Sequence, residues 1–216
     1  YYVVVYNGNG SVQSSTVSLT VTVVQGGLWA IGNENDHSGT GGIGNRTKFS
    51  SPIQVGALTD WKMAAPGYIA TMGIRSNGTL WGWGSGANGA TGLSTSAQYY
   101  SPKQVGALTN WSKVTAGLYN GAAVKTDGTL WTWGNNYYGQ LGINSLANQY
   151  SPVQVGSLTN WSTVSSGRNF MVALKTDGTI WGWGSNSNGQ IVNGNKSSPV
   201  QIGSGTTWNG IIAGFM

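Results

Sequence analysis

Ser101-Pro-Lys-Gln-Val-Gly-Ala-Leu-Thr-Asn-Trp111 decides the fold, because the chain writes this phrase three times. The pattern Ser-Pro-x-Gln-Val-Gly-(Ala/Ser)-Leu-Thr-x-Trp begins at Ser51, Ser101 and Ser151, and a degraded copy, Ser-Pro-Val-Gln-Ile-Gly, begins at Ser198. A second block, (Asp/Asn)-Gly-Thr-(Leu/Ile)-Trp-x-Trp-Gly, sets Trp83, Trp133 and Trp183 at the same interval of fifty residues. A period of that size marks a solenoid, a propeller or an array.

Working outward from Trp111, the unit reads as short strands. Trp111 to Gly117 is a strand ending in glycine, and Gly121 to Lys125 is a second. Thr126-Asp-Gly128 turns the chain tightly, and Leu130-Trp-Thr-Trp133 is a third strand closed by Gly134. A long Gly/Asn/Tyr loop leads to Tyr150-Ser-Pro152, and Val153-Gln-Val155 starts the next unit as a short fourth strand. Pro152 suits an edge, where no ladder donor is required. Four short strands per repeat predict an all-β fold, a β-propeller of four-stranded blades. Repeats fall near 25–60, 61–110, 111–160 and 161–207, with another begun at 208. No window has helical periodicity, and the only Gly-Gly doublets, Gly26-Gly27 and Gly41-Gly42, are too few for a kelch repeat.

Composition agrees. Only 7% of residues are charged and 36 are glycine, but 11 Trp and 10 Tyr supply enough apolar surface to offset the entropy of ordering. The net charge of +5 comes from ten Lys and Arg residues placed singly. No stripe collects them, so nucleic acid is not an expected partner. The absence of cysteine excludes disulfides and thiolate metal sites. No run approaches the ~20 apolar residues of a membrane-spanning helix. The chain starts at Tyr1 without Met, as the interior of a longer polypeptide would.

Residues 1–24 read differently. Tyr1 to Tyr6 and Ser15 to Val24 are β-rich, the second alternating Val17, Leu19, Val21 and Val23 against Ser18, Thr20 and Thr22, with turn chemistry in Asn7-Gly-Asn-Gly10. Tyr1-x-Val3-x-Val5-x-Asn7-x-x-Gly10-Ser11 followed by Leu19-x-Val21 resembles the last two strands of an immunoglobulin-like sandwich, with Val3 where that family has its disulfide cysteine. The alternative is a two-strand extension packed on the propeller.

Trp133-Gly-Asn-Asn-Tyr-Tyr-Gly-Gln-Leu-Gly142 resembles the signature of the regulator of chromosome condensation propeller family, and Gly117 with Ala123-Val124-x-x-Asp127-Gly128 fits the same pattern. Eroded copies follow Trp83-Gly84 and Trp183-Gly184. The resemblance covers about residues 25–216 and implies a seven-bladed propeller, so about three more blades should follow the four written here. Where the family often has His, this chain has Ala70, Asn120 and Phe170.

Few residues could carry chemistry. The tryptophans recur at equivalent positions, which makes them blade-to-blade packing. His37, beside Glu34 and Asp36, is a weak metal candidate without defined ligand spacing. No paired carboxylates or nucleophile–base set occurs, so neither an enzyme nor a cofactor is expected. Asp127 and Asp177 serve their turns. What remains are the loops 32–51, 84–101, 134–151 and 184–198. Among Ser, Gly and Asn they carry Phe49, Tyr99, Tyr137, Tyr138 and Asn188 as binding candidates, while Tyr100 and Tyr150 are expected to pack on the neighbouring blade. An Ig-like segment fused to such a propeller looks like a structural display protein on a phage or other virion surface: a tail fibre, appendage or capsid decoration. Its expected partners are a protein or glycan of the host surface or neighbouring subunits, with a homo-oligomer open. The alternatives are a bacterial secreted or cell-surface adhesin, inhibitor-like binders included, and the guanine-nucleotide exchange activity of the eukaryotic namesake.

Overall fold

The computed structural model describes residues 2–5, 19–24, 26–33, 40–44 and 48–214. Its strands form four sheets of four. The first holds β1 (Tyr2–Val5), β2 (Leu19–Val24), β3 (Gly27–Asn33) and β4 (Lys48–Gln54). The second holds β5 (Trp61–Pro66), β6 (Ala70–Arg75), β7 (Leu80–Gly84) and β8 (Tyr99–Gln104). The third holds β9 (Trp111–Ala116), β10 (Asn120–Lys125), β11 (Leu130–Gly134) and β12 (Gln149–Gln154), and the fourth β13 (Trp161–Ser166), β14 (Phe170–Lys175), β15 (Ile180–Gly184) and β16 (Lys196–Gln201). In the last three sheets every neighbour is antiparallel and sequential, the topology of a propeller blade. The inner strand β9 packs beside both β5 and β13.

Three apolar layers fill the gaps between successive sheets. Leu28, Val55, Trp61 and Trp83 join the first pair, Met72, Leu80, Trp111 and Trp133 the second, and Leu130, Val155, Trp161 and Trp183 the third. Trp83, Trp133 and Trp183 are fully buried. Each donates its indole N–H across a junction, to the carbonyls of Thr40, Ala90 and Gln140 at 2.7, 3.1 and 2.9 Å. Gly42, Gly92 and Gly142, all at positive φ, close over these rings, where a Cβ would stand 2.6 to 3.1 Å from the indole nitrogens. Trp208, 53% exposed near the last described residue, repeats the bond of Trp61, Trp111 and Trp161 by donating its backbone N–H to Gly178 O.

The structure corrects two expectations. The fourth strand starts earlier than Val153, at Gln149, and completes its own sheet as the edge beside β11. The N-terminal strands do not form a tight hairpin: β1 lies parallel to β2, and β2 pairs antiparallel with β3. Parallel neighbours need a crossover rather than a two-residue turn; the expected turn at Asn7 to Gly10 lies outside the described residues. The first sheet thus runs in the order β1-β2-β3-β4. Gly26, at φ 83°, does what Gly78, Gly128 and Gly178 do in later blades, its carbonyl accepting the N–H of the next Trp (Trp61).

Candidate binding face

Because strand direction alternates within a blade, the β5–β6 turn and the long loop after β7 leave the sheet at one end. Hydrogen bonds tie them together: Ser85 N–H to Ile69 O, Asn135 N–H to Tyr119 O, and Ser185 N–H to Asn169 O, at 2.7 to 2.9 Å. This end is the loop face. The opposite face carries the Asn77-Gly78, Asp127-Gly128 and Asp177-Gly178 turns.

The first three long loops are each fastened to the next blade. Gly44 N–H donates to Tyr100 O, Ser94 N–H to Tyr150 O and Asn144 N–H to Ser197 O. Tyr100 and Tyr150 thus mark loop-to-blade junctions through their carbonyls, while the Tyr150 ring remains partly exposed. Inside the 134–148 loop, Asn136 is fully buried. Its amide donates to Ser145 O and Ala147 O, and its carbonyl accepts Leu141 N–H. Gln140 donates to Asn135 Oδ1 and accepts Tyr138 N–H. The signature's Asn and Gln are spent on holding the loop.

The candidates separate accordingly. Tyr137 is 72% exposed, and its ring meets that of Tyr138 edge-on at 4.9 Å. Asn188 occupies the equivalent exposed tip one blade on, its N–H donated to Gln190 Oε1. Tyr99 is half-buried on β8 opposite Gly84. Phe49 is placed on β4 opposite Gly32 by its backbone. Glu34, Asp36 and His37 lie outside the described residues. Among the described residues no group of three His, Cys, Asp or Glu could hold a metal ion, and no helix is long and apolar enough to cross a membrane.

Sequence reasoning missed two sets of residues. Tyr68, 51% exposed, stands edge-on to Tyr119 at 6.5 Å on the turns nearest the inner strands, with exposed Arg168 at the next blade's equivalent turn. Leu146, 61% exposed, adds apolar surface to the loop of Tyr137. The second set lies on the opposite face. Arg75, Lys125 and Lys175 are not scattered but recur every fifty residues, each against tryptophans. Lys125 Nζ stands 4.9 Å from the Trp111 ring and 3.7 Å from Trp131, and Lys175 repeats this with Trp161 and Trp181. Burial lowers the pKa of both lysines, countered by Asp127 and Asp177, while the two indoles favour the cation. Arg75 stacks on Trp81 and is paired with Asp60 at 2.7 Å. The interval was visible; singly placed charges hid it.

The turns yield a prediction. Asp127 Oδ1 accepts both the hydroxyl and the N–H of Thr129, whose hydroxyl in turn accepts the Trp131 indole N–H; Asp177 does the same. The threonine hydroxyl, then its backbone N–H, holds each carboxyl below its ordinary pKa. A depressed carboxyl gives stability above its unfolded pKa, near 4, and loses it as pH falls through the folded value. Asn77 makes the same two bonds through its amide oxygen, without titrating. Replacing both aspartates by Asn should therefore keep the turns and flatten the acid limb of a stability–pH curve below about pH 4. A limb as steep as the parent's would show that these carboxylates do not set it.

Comparison with known proteins supplies a family. Models of the regulator of chromosome condensation (RCC1) repeat match residues 77–124 and 127–174, and, in a second form, 111–140 and 161–190. Among curated proteins none matches the sequence. Human WBSCR16 superposes with a TM-score of 0.78 at 19% identity, over 93% of this chain and 56% of its own. Prp20p from Saccharomyces cerevisiae, studied for its binding to Gsp1p and histones, gives 0.71 at 18%, over 82% of this chain and 46% of its own. The same yeast protein bound to Kap60 gives 0.73 at 17%, over 91% and 52%. The chain thus spans about half the length of these structures, and identities this low carry the fold alone.

Proposed function

We propose, for a chain built from regulator of chromosome condensation repeats over residues 77–190, that the molecule is a non-enzymatic binding propeller whose loop face recognises its partner. One observation carries the reading. The turns and long loops of successive blades converge on one face, and the segments 84–98, 134–148 and 184–195 contain no Lys, Arg, Asp, Glu or His. Such a surface has aromatic anchors and small hydrogen-bonding groups, and no machinery for proton transfer. Yeast Prp20, whose fold this chain shares in part, has been crystallised bound to Kap60.

The setting we propose is extracellular, on a virion surface as an appendage, tail fibre or decoration. The partner there is a host-surface molecule or a neighbouring subunit. A surface polar through Asn, Ser and Thr rather than through charge supports it. Density-gradient fractionation of the native source, followed by mass spectrometry, tests the setting. Sedimentation with DNA-containing particles is expected. Recovery with cell envelopes or medium would overturn the virion reading in favour of a bacterial surface binder.

A further inference from the structure

Three blades of one chain show each position three times. At the blade junctions the same buried ring recurs, as Trp83, Trp133 and Trp183. At the loop tips they diverge: Ala87-Asn88, Tyr137-Tyr138 and Ser187-Asn188 stand at equivalent places. The middle loop alone carries aromatic rings there. Tyr137 is 72% exposed, so its ring contributes little to folding.

The backbone that carries the rings is also held in place. Tyr137 N–H donates to Asn135 Oδ1 at 3.3 Å, Tyr138 N–H to Gln140 Oε1 at 2.9 Å, and Gln140 Nε2 to Asn135 Oδ1 at 2.6 Å. Asn148 Nδ2 reaches Asn88 Oδ1 at 3.4 Å, bringing the amide of the preceding tip to the edge of this loop. The loop tips themselves carry amides and hydroxyls without ionic charge; Lys196, whose backbone lies against Gly139, and Arg168 on the same face are the cations beside them.

We infer that Tyr137 and Tyr138 form a stacking platform for a neutral glycan, which rests on the reading that the loop face is the recognition face. A pyranose offers an apolar C–H face to an exposed ring and hydroxyls to neighbouring amides such as Asn88. The fixed loop spares the ordering cost of binding. Within 84–98, 134–148 and 184–195 a sulfated or phosphorylated ligand meets no cation, Lys196 and Arg168 standing only at the margin, and a single two-ring step suits one or two sugar units better than the ~800 Å² per partner of a stable protein interface.

The test is an array of neutral and anionic oligosaccharides probed with the whole chain, followed by calorimetry on the best neutral member. Expected is a Kd of about 10 µM to 1 mM, weakened roughly tenfold or more in a Tyr137→Ala, Tyr138→Ala double variant with an unchanged melting curve. A rise from about 0.05 to 0.5 M salt should alter the Kd less than about twofold. A Tyr137→Phe variant, keeping the ring, should bind like the parent. Retention of no neutral glycan overturns the inference, as does binding that ignores the double variant or is confined to anionic glycans and collapses with salt. A blank array with co-sedimentation on particles sinks the glycan alone. A positive array with the protein absent from particles sinks the virion setting and leaves the platform standing.

Discussion

Replacing Trp133 by Ala should lower the unfolding free energy by about 3–5 kcal/mol, the range for removing a large buried aromatic ring. The ring is fully buried between the second and third sheets, and Gly92 closes over it. Its truncation leaves a cavity that two stiff sheets cannot collapse into, and strands the Ala90 carbonyl without its donor. Trp133→Phe separates the two costs: most of the packing stays, and the orphaned carbonyl costs about 1–3 kcal/mol. Trp208→Ala, at a half-exposed site, should change stability by less than about 1 kcal/mol. Urea unfolding followed by circular dichroism measures all three. A Trp133→Ala loss no larger than that of Trp208→Ala would show that the junction is not the cohesive element.

Gly128→Ala is expected to be as damaging for a different reason. Gly128 has φ 75°, and a Cβ there would lie 2.0 Å from the Thr159 carbonyl oxygen. That segment cannot move aside freely, because Trp161 N–H is bonded to Gly128 O and anchors the start of the next blade. Gly106, at φ 60°, has nothing within 4 Å of a built Cβ. Gly106→Ala therefore meets only the left-handed backbone penalty of about 1–2 kcal/mol. Gly128→Ala adds a clash and should cost at least about twice as much, or prevent folding. Gly78→Ala and Gly178→Ala repeat the geometry and should behave alike. Equal midpoints for Gly106→Ala and Gly128→Ala would remove the clash from the account.

The blades were legible because folding repeats its solution. Trp83, Trp133 and Trp183 recur at fixed spacing because each junction must bury the same ring and satisfy the same indole N–H, so periodicity records packing directly. The Asp-Gly turns were readable because only a few residue types fit that backbone. Tyr137 and Tyr138 were named as aromatic residues among Ser, Gly and Asn, a composition that gives no account of which way their rings face. Lys125 and Lys175 were passed over, although their interval was in view. Their role needs Trp111 with Trp131, or Trp161 with Trp181, brought to either side of one ammonium, and pairing of that kind depends on which strands are neighbours.

Sequence by itself determined the all-β class, the blade length, the tight turns and the tryptophan core, because local backbone preference and burial set these residue by residue. Tertiary structure alone decided that the inner turns and the long loops share one face, so that Tyr68, Tyr119 and Arg168 join the surface of Tyr137. It also decided that the N-terminal strands enter the first sheet, with β2 beside β3 and β1 parallel to β2. Both follow from strand direction and sheet pairing, which arise from hydrogen bonds between segments far apart in the chain and leave no mark on either segment read alone.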